Sequence, residues 1–252
     1  MFPIRDHNPS GRVPLVTIAL IAANVLIFLS YWGLMDNPRA LMAFYDRFAL
    51  IPARPSPLAF ITSMFLHGGL WHLLGNMLFL WIFGDNLEDE MGHLGFAVFY
   101  ILCGVVAGAA QVALSPGSQI PTVGASGAIA GVMGGYLLLF PRARIDVLII
   151  IVVFFRIFTV PAWTMLVLWF GLQLFGAAGS DPTSGGVAYA AHAGGFVIGV
   201  LAALPVWLRR GSAAFWRQTS GAPPHPAANY SRTNIPRVQR HRSDIPSVRR
   251  RR

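Results

Sequence analysis

Long apolar runs separated by short polar stretches dominate the pattern of this chain. The run from Val13 to Leu34 contains 22 residues and no charged side chain, which is enough to cross a hydrocarbon core of about 30 Å at about 1.5 Å per residue. Similar runs recur, and we predict an all-α membrane protein, a bundle of six transmembrane helices with a short central fourth helix. The six predicted helices cover about 13–34, 70–87, 93–114, 125–140, 161–178 and 187–208.

The polar stretches divide the chain into three parts. We expect residues 1–12 to form a cytoplasmic N-terminus, residues 13–208 a six-helix domain and residues 209–252 a basic, disordered cytoplasmic tail, because the tail has few apolar side chains. The four prolines of 35–65 indicate a connection that lies partly in the membrane interface. The β-branched stretch 145–160 favours an interfacial or cytoplasmic segment over a helix.

Composition and charge agree with a membrane protein. Only 12% of the residues are charged, whereas a soluble domain would carry about 25%. The formal net charge is +9, but 11 of the 19 basic residues lie in 209–252, so the charge does not indicate a nucleic-acid-binding domain. The basic residues place both termini in the cytoplasm. Two interpretations of the tail stay open: contact with anionic membrane lipid, or a solvated segment that only fixes the topology.

The fourth predicted helix has very little side-chain volume. Gly127, Gly131 and Gly135 recur at four-residue spacing. Small residues let helix backbones approach closely inside a membrane, so this helix is expected at the centre of the bundle.

Four polar residues on three predicted helices share one depth. With both termini in the cytoplasm, the second, fourth and sixth helices all begin at the outer face. His72 and Asn76 lie near the start of the second helix, Ser126 opens the fourth, and His192 lies about five residues into the sixth. At about 1.5 Å per residue, all four lie within roughly 10 Å of the outer boundary. Polar side chains inside a membrane are costly and usually mark a functional site.

Ser126 and His192 have the chemistry of a nucleophile and its general base. An imidazole accepts the proton of a serine hydroxyl near neutral pH. No acidic residue lies near His192 in the sequence, so a Ser–His dyad is favoured over a triad. The helix N-terminus at Ser126 offers N–H groups to a developing oxyanion, and His72 and Asn76 can add side-chain donors.

Each of these features has a simpler structural explanation when it is taken alone. A Gly-x-Ser-Gly sequence usually serves packing in a membrane helix, a lone His at a helix end is often interfacial, and a His/Asn pair can hold two helices together. His67 has either a supporting role or a place in the hydrogen bonding of a loop. Gly124 and Gly127 are expected to leave room for a peptide backbone beside the serine. The combination of all these groups at one depth favours catalysis.

Three motifs resemble those of the rhomboid intramembrane serine proteases of the bacterial six-helix kind. The motifs are His72-Leu-Leu-Gly-Asn76, Gly124-Ala-Ser126-Gly127 and Ala191-His192-Ala-Gly-Gly195, and Glu88 after the second helix also fits. The resemblance covers roughly residues 10–208. Many bacterial members carry a Trp-Arg pair in the first loop, where this chain reads Ser-Pro-Leu-Ala-Phe at 56–60. Arg47 and Arg54 are the candidates to replace that pair as an anchor.

The resemblance implies an intramembrane serine endopeptidase. Ser126 would attack the scissile carbonyl of a transmembrane protein substrate, and His192 would act as base and then as acid. His72, Asn76 and the backbone N–H of Ser126 would stabilise the oxyanion. The resemblance implies no metal and no cofactor, substrate proteins and membrane lipid as partners, no nucleic acid, and a multi-pass location in the bacterial inner membrane.

Three other functions compete with this hypothesis. A catalytically silent relative that binds transmembrane clients would be favoured by the loss of Ser126 or His192, and both are present. A channel or transporter would carry polar residues along a whole span or show paired repeats. A zinc enzyme could use His67, His72 and His192, but the five-residue separation of the first two is expected to point them to different faces.

Overall fold

The computed structural model of the chain describes residues 2–8, 10–151, 154–179 and 186–219. Its helices are α1 (Leu15–Tyr31), α2 (Pro38–Phe48), α3 (Ala59–Thr62), α4 (Leu70–Leu114), α5 (Ser126–Leu139), α6 (Ala162–Gly179), α7 (Tyr189–Arg209) and α8 (Ala213–Thr219). Its strands are β1 (Phe2–Asp6), β2 (Arg144–Ile151) and β3 (Phe154–Pro161). Short 3-10 turns follow α1 and α3.

Four of the described helices are long and apolar enough to cross a membrane, namely α1 with its 3-10 extension, α4, α6 and α7, while α5 is apolar but shorter. At about 1.5 Å per residue the 45 residues of α4 would extend about 68 Å, more than twice a hydrocarbon core. Gly92 breaks this helix into two segments, with a φ of 72° and a ψ of 164°. The prediction of an all-α membrane bundle is confirmed.

The short helix α5 lies at the centre of the bundle, packed closely against α7. A Cβ at Gly195 would overlap the backbone carbonyl of Gly127, and a Cβ at Gly199 would overlap the backbone of Gly131. Backbone atoms cannot yield as a flexible side chain can, so only glycine permits this approach. The contact explains the small-residue pattern of the sequence and sets α5 and α7 side by side.

A three-stranded antiparallel sheet, in the order β1-β2-β3, lies where α5 ends and α6 begins. The stretch 145–160 is therefore not a helix, as its β-branched composition indicates. The expectation of a simple polar N-terminus was incomplete, because Phe2 pairs with Leu148 and Asp6 with Ile145 across the sheet. An isolated five-residue strand has no hydrogen-bonding partner of its own, and β1 forms only against the distant hairpin.

Asp146 joins the three strands of the sheet. Its carboxylate accepts hydrogen bonds from the Thr159 hydroxyl at 2.6 Å and from Arg5 at 3.1 Å, and it lies 2.9 Å from Nε2 of His7. The Thr159 hydroxyl first, and then His7 and Arg5, favour the ionised form and lower the pKa of Asp146 to about 2.

Glu88, which fits the resemblance described above, holds the start of α1 against α4. Its carboxylate accepts hydrogen bonds from the backbone N–H groups of Val16 and Thr17, both at 2.8 Å, and from the Thr17 hydroxyl at 2.7 Å. These amides belong to the first turn of α1, which has no partner for them within the helix. A buried carboxylate thus satisfies a helix N-terminus and fixes two helices together.

The beginning of the expected disordered tail is helical. Helix α8 covers Ala213–Thr219, and the indole N–H of Trp216 donates to the carbonyl of Leu138 at 3.0 Å. The aromatic residues of α8 explain the difference, because they pack back onto the end of α5. The expectation of disorder for the rest of the tail lies outside the described residues.

Candidate active site

Ser126 and His192 lie within hydrogen-bonding distance of each other. Ser126 is the first residue of α5, and His192 lies in the first turn of α7. The serine Oγ is 2.7 Å from Nε2 of the imidazole. The glycine contacts between α5 and α7 bring the starts of the two helices together. The close packing that the small-residue pattern predicts therefore places Ser126 next to His192.

Gln173 on α6 is a member of the site that the sequence analysis missed. Its Oε1 lies 2.8 Å from Nδ1 of His192, while its Nε2 donates to the carbonyl of Trp169 at 3.3 Å. Because the amide nitrogen is directed to that carbonyl, the amide oxygen faces the imidazole and can only accept. The proton of a neutral His192 therefore resides on Nδ1, and Nε2 is left to accept the proton of Ser126.

Trp169 packs against one face of the His192 imidazole. Its ring stacks on His192 with the ring centroids 5.8 Å apart and an interplanar angle of 30°. Two residues of α6 thus set the plane and the tautomer of a histidine on α7. Gln173 is itself buried, so its hydrogen bonds are not exchanged freely with water.

A cavity of about 820 Å³ brings together the four polar residues that the sequence placed at one depth: His72, Asn76, Ser126 and His192. Nδ2 of Asn76 is buried and, among the described residues, has no hydrogen-bond partner. A buried donor without a partner is costly unless a ligand satisfies it, and here it lies in the cavity that Ser126 lines.

His72 presents a hydrogen-bond donor to the same region. The backbone N–H of Gly68 donates to its Nδ1 at 3.3 Å, which places the proton of a neutral imidazole on Nε2. A Cβ built on Gly124 would lie 2.9 Å from that Nε2 and 3.5 Å from the Ser126 hydroxyl. His72 Nε2 and Ser126 Oγ therefore flank the same point of the backbone.

The two glycines around Ser126 have different roles. Gly124 has a φ of 128°, a conformation that favours glycine, and a side chain there would collide with His72. A Cβ at Gly127 would instead lie 2.6 Å from the Cβ of Ala107 on α4. The missing side chain of Gly127 therefore serves helix packing, and the expectation that Gly127 leaves room for a substrate backbone stays a prediction.

His67 is held beside the site by hydrogen bonds of its backbone. The hydroxyls of Tyr31 and Tyr45 donate to its carbonyl at 3.0 and 3.2 Å, and its own N–H donates to the Tyr31 hydroxyl at 2.6 Å. Its buried ring lies against His72, with the ring centroids 5.1 Å apart. The sequence argument that separated these two histidines is wrong, because His67 precedes the helix and helical spacing does not apply to it.

The first loop is anchored by these tyrosines rather than by an arginine. Arg54 pairs with Asp46 at 2.7 Å, and both side chains are about half exposed. Arg47 lies over the ring of its neighbour Phe48. Among the described residues, neither guanidinium forms a hydrogen bond or ion pair with His67 or Ser126, so neither Arg47 nor Arg54 replaces the absent Trp-Arg pair in that role.

Within the described ranges, no group of three or more His, Cys, Asp or Glu side chains is arranged to hold a metal ion. The polar side chains that line the cavity carry hydroxyl, imidazole and amide groups. Their chemistry is that of nucleophilic attack, proton transfer and anion stabilisation.

The chain matches known proteins over the same region. A family model described as the rhomboid domain matches residues 54–209. Rhomboid protein 1, mitochondrial, of Saccharomyces cerevisiae is 32% identical over 191 residues, which cover 73% of this chain and 51% of the relative. The rhomboid protease GluP of Bacillus subtilis is 33% identical over 126 residues, 49% of this chain and 24% of the relative.

A third relative, the human presenilin-associated rhomboid-like protein, mitochondrial, is 28% identical over 149 residues, 58% of this chain and 37% of the relative. The chain thus spans about half, or less, of the length of these curated relatives. The family model alone covers more than half of the present chain. The chain therefore belongs to the rhomboid family.

Proposed function

We propose that this chain is an intramembrane serine endopeptidase that cleaves the transmembrane segments of single-span proteins. Ser126 is the nucleophile and His192 is its general base. The observation that carries the proposal is the 2.7 Å contact between Ser126 Oγ and His192 Nε2, with the imidazole held on its other side by Gln173. One relative, GluP of Bacillus subtilis, is named a protease.

The proposed reaction follows from the proton positions in the site. His192 takes the hydroxyl proton as Ser126 attacks the scissile carbonyl, and it then gives the proton to the leaving amine. The oxyanion is stabilised by His72 Nε2–H, Asn76 Nδ2–H and the backbone N–H of Ser126. Water then hydrolyses the acyl-enzyme, again with His192 as the base.

The position of the site suits a substrate that spans the membrane. The starts of α4, α5 and α7 lie on one side, which is the outer side if both termini lie in the cytoplasm. A peptide bond in a helix is shielded by its own hydrogen bonds, so the substrate must unwind near this face before attack. Residues that destabilise a helix are therefore expected near the cleaved bond.

The chain is a multi-pass membrane protein, and we propose that its N-terminus and its Arg-rich C-terminal tail both face the cytoplasm of a bacterial cell. The distribution of basic residues supports this orientation. The names of the relatives above include mitochondrial proteins and a protein of a bacterium, so family membership supports a membrane location without selecting one membrane.

A fluorophosphonate probe tests whether Ser126 is an activated nucleophile. Its phosphorus is expected to bond to the Ser126 Oγ with loss of fluoride, and the labelled peptide can be identified by mass spectrometry. Labelling should disappear in Ser126→Ala and in His192→Ala. Ser118→Ala is the matched control because Ser118 lines the same cavity, and this variant should label as the wild type does.

Two results would overturn the proposal. Labelling that persists in Ser126→Ala would place the reactive group elsewhere. A folded wild-type protein that takes up no probe yet binds a single-span protein would instead identify a catalytically silent client-binding member of the family.

A further inference from the structure

The outer strand of the sheet carries exposed apolar side chains that the proposed mechanism does not use. In β3, Phe155 is 69% exposed, Ile157 56% and Phe158 43%. In the neighbouring strand β2, by contrast, Ile145 and Val147 are buried. Burial therefore declines from the central strand to the outer one, and we call the three exposed side chains of β3 the β3 edge.

The β3 edge is apolar on both faces of the sheet. Successive side chains of a strand point to opposite faces, so Phe155 and Ile157 share one face and Phe158 lies on the other. A sheet with one face in water normally alternates apolar and polar residues, and in water an exposed apolar edge strand promotes aggregation. The two apolar faces therefore indicate surroundings that are apolar on both sides of the strand.

The strand β3 runs directly into a membrane helix. Helix α6, which is long and apolar enough to span a membrane, begins at Ala162. The N–H of Ala162 donates to the carbonyl of Ala143 at 2.7 Å, and the N–H of Trp163 donates to the carbonyl of Pro141 at 2.9 Å. Trp163 is half exposed, and tryptophan is enriched where a membrane meets water. The β3 edge therefore starts at the level where the bundle leaves the membrane.

The charge of this segment also suits a lipid surface. Between Val147 and Pro161 the only charged residue is Arg156, which is exposed. Its guanidinium lies over the ring of Phe158, 5.5 Å from the ring centroid. An arginine beside aromatic and aliphatic side chains is typical of segments that lie in a membrane interface, because its apolar stem is buried while its charged end reaches the headgroups.

We propose that the β3 edge inserts into the bilayer interface beside the bundle, with the lipid headgroups and the adjoining acyl chains as its partner. The three apolar side chains contact the acyl chains, and Arg156 contacts headgroup phosphate. The backbone limits the depth, because β3 is the last strand in the order β1-β2-β3 and, within the described ranges, no fourth strand pairs with its outer side. The N–H and C=O groups on that side need water or headgroups, which the hydrocarbon core lacks.

A strand from another protein, added to the outer side of β3, is the main competing occupant. Such a strand would satisfy the backbone groups of β3. It would extend the sheet sideways, however, and would leave Phe155 and Ile157 uncovered on one face and Phe158 on the other. A bilayer interface covers both faces at once.

Spin labels on the β3 edge measure the insertion directly, without any need for proteolysis. The single cysteine, Cys103, is buried and is replaced by alanine, and Phe155→Cys or Ile157→Cys is then labelled in the full-length protein in lipid nanodiscs. Oxygen concentrates in the bilayer, whereas nickel ethylenediaminediacetate stays in water. Both labels should be more accessible to oxygen than to the nickel complex. Arg5→Cys is the matched control, an exposed polar position of β1 in the same sheet, and should show the reverse.

Two results would overturn the proposal. If both labels are as accessible to the nickel complex as Arg5→Cys is, the β3 edge lies in water. If both labels are protected from oxygen and from the nickel complex, protein covers the β3 edge, and dipolar coupling between labels would identify that protein as a second copy of this chain.

Polar substitutions test whether the apolar side chains cause the insertion. Phe155→Asn/Phe158→Asn should lower the oxygen accessibility of a label at Ile157 and raise its nickel accessibility, since the strand loses its contact with the acyl chains. The control Met42→Asn/Leu58→Asn changes two exposed apolar side chains outside the sheet and should leave that label unchanged. An equal shift in both double variants would contradict the proposal. None of these measurements depends on the proposed dyad, so membrane insertion and protease activity can fail independently.

Discussion

At the level of single residues, the imidazole of His192 is oriented by an amide rather than by a carboxylate. Gln173 accepts a hydrogen bond from Nδ1 at 2.8 Å, and Trp169 stacks on the ring. A neutral amide fixes the tautomer as a carboxylate does, but it gives less stabilisation to the imidazolium that forms during attack. The proposed base is therefore positioned by α6, a helix to which neither Ser126 nor His192 belongs.

We expect Gln173→Leu to lower kcat about tenfold to a hundredfold while KM stays nearly unchanged, because the imidazole loses its orienting partner but the cavity keeps its shape. Steady-state cleavage of a single-span substrate measures both constants. Gln111→Leu is the matched control. Gln111 on α4 accepts a hydrogen bond from the backbone N–H of Ala191, which precedes His192 on α7, rather than from the imidazole itself. An unchanged kcat in Gln173→Leu would contradict the assigned role.

The sequence identifies some of these residues and not others. Ser126 and His192 stand out because each is a polar residue among glycines and alanines inside a predicted span. A hydroxyl and an imidazole at that depth are costly and usually mark a functional site. Gln173 also carries a signal, being a polar residue inside a predicted span. Its partner could not be inferred, since nothing in a single sequence shows which face of α6 turns toward α7.

At the level of helices and strands, the contact between α5 and α7 sets the distance from the nucleophile to its base. Gly195 and Gly199 face the backbone of α5 directly. The four-residue glycine spacing predicted this close contact. The sheet was only half predictable: the β-branched hairpin has a local signal, whereas β1 needs a partner about 140 residues away.

Gly199→Ala should destabilise the protein by about 1–3 kcal/mol, the usual effect of adding a methyl group to a fully packed interior. The added Cβ would overlap the backbone of Gly131, so the two helices must separate. Unfolding in detergent, followed by circular dichroism, measures the change.

Gly171→Ala on α6 is the matched control for this helix contact. A Cβ there has no neighbour within 4 Å, so the substitution should leave stability unchanged or slightly raised. If both alanine variants unfold at the same denaturant concentration, the close backbone contact of α5 and α7 is not what the fold depends on.

At the level of the whole molecule, the N-terminal strand is joined to the helical bundle by an ionisable contact. The hydroxyl of Tyr136 on α5 donates to Asp6 of β1 at 3.0 Å. Burial, followed by the nearby charge of Asp85 on α4, raises the pKa of Asp6 from 3.8 to about 7. A carboxyl with a raised pKa stabilises the folded state fully below pH 4, and this stabilisation is lost as the pH rises through about 7.

Asp6→Asn should therefore raise the thermal unfolding midpoint at pH 8 and have little effect near pH 4, since the amide imitates the protonated acid. Thermal unfolding of the purified protein at the two pH values measures the difference. Asp36→Asn removes the same charge at an exposed position and should show no such pH dependence. A gain of equal size at both pH values would contradict the coupling of Asp6 to the bundle.

Asp146 shifts stability in the opposite direction within the same sheet. Its pKa is lowered to about 2, so its stabilising contacts are present above pH 4 and are lost as the pH falls toward 2. In the same sheet, Asp6 therefore stabilises the folded state at acid pH, whereas Asp146 stabilises it at neutral pH. The sequence shows both aspartates but not their burial, which depends on the strand pairing.

The most direct measurement of the central claim is cleavage of a model single-span protein by the purified chain in detergent. Wild type is compared with Ser126→Ala, His192→Ala and the cavity control Ser118→Ala. We predict that the wild type and Ser118→Ala cleave the substrate within its transmembrane segment and that the two dyad variants do not. Cleavage by all four proteins at the same rate would contradict a Ser126–His192 protease.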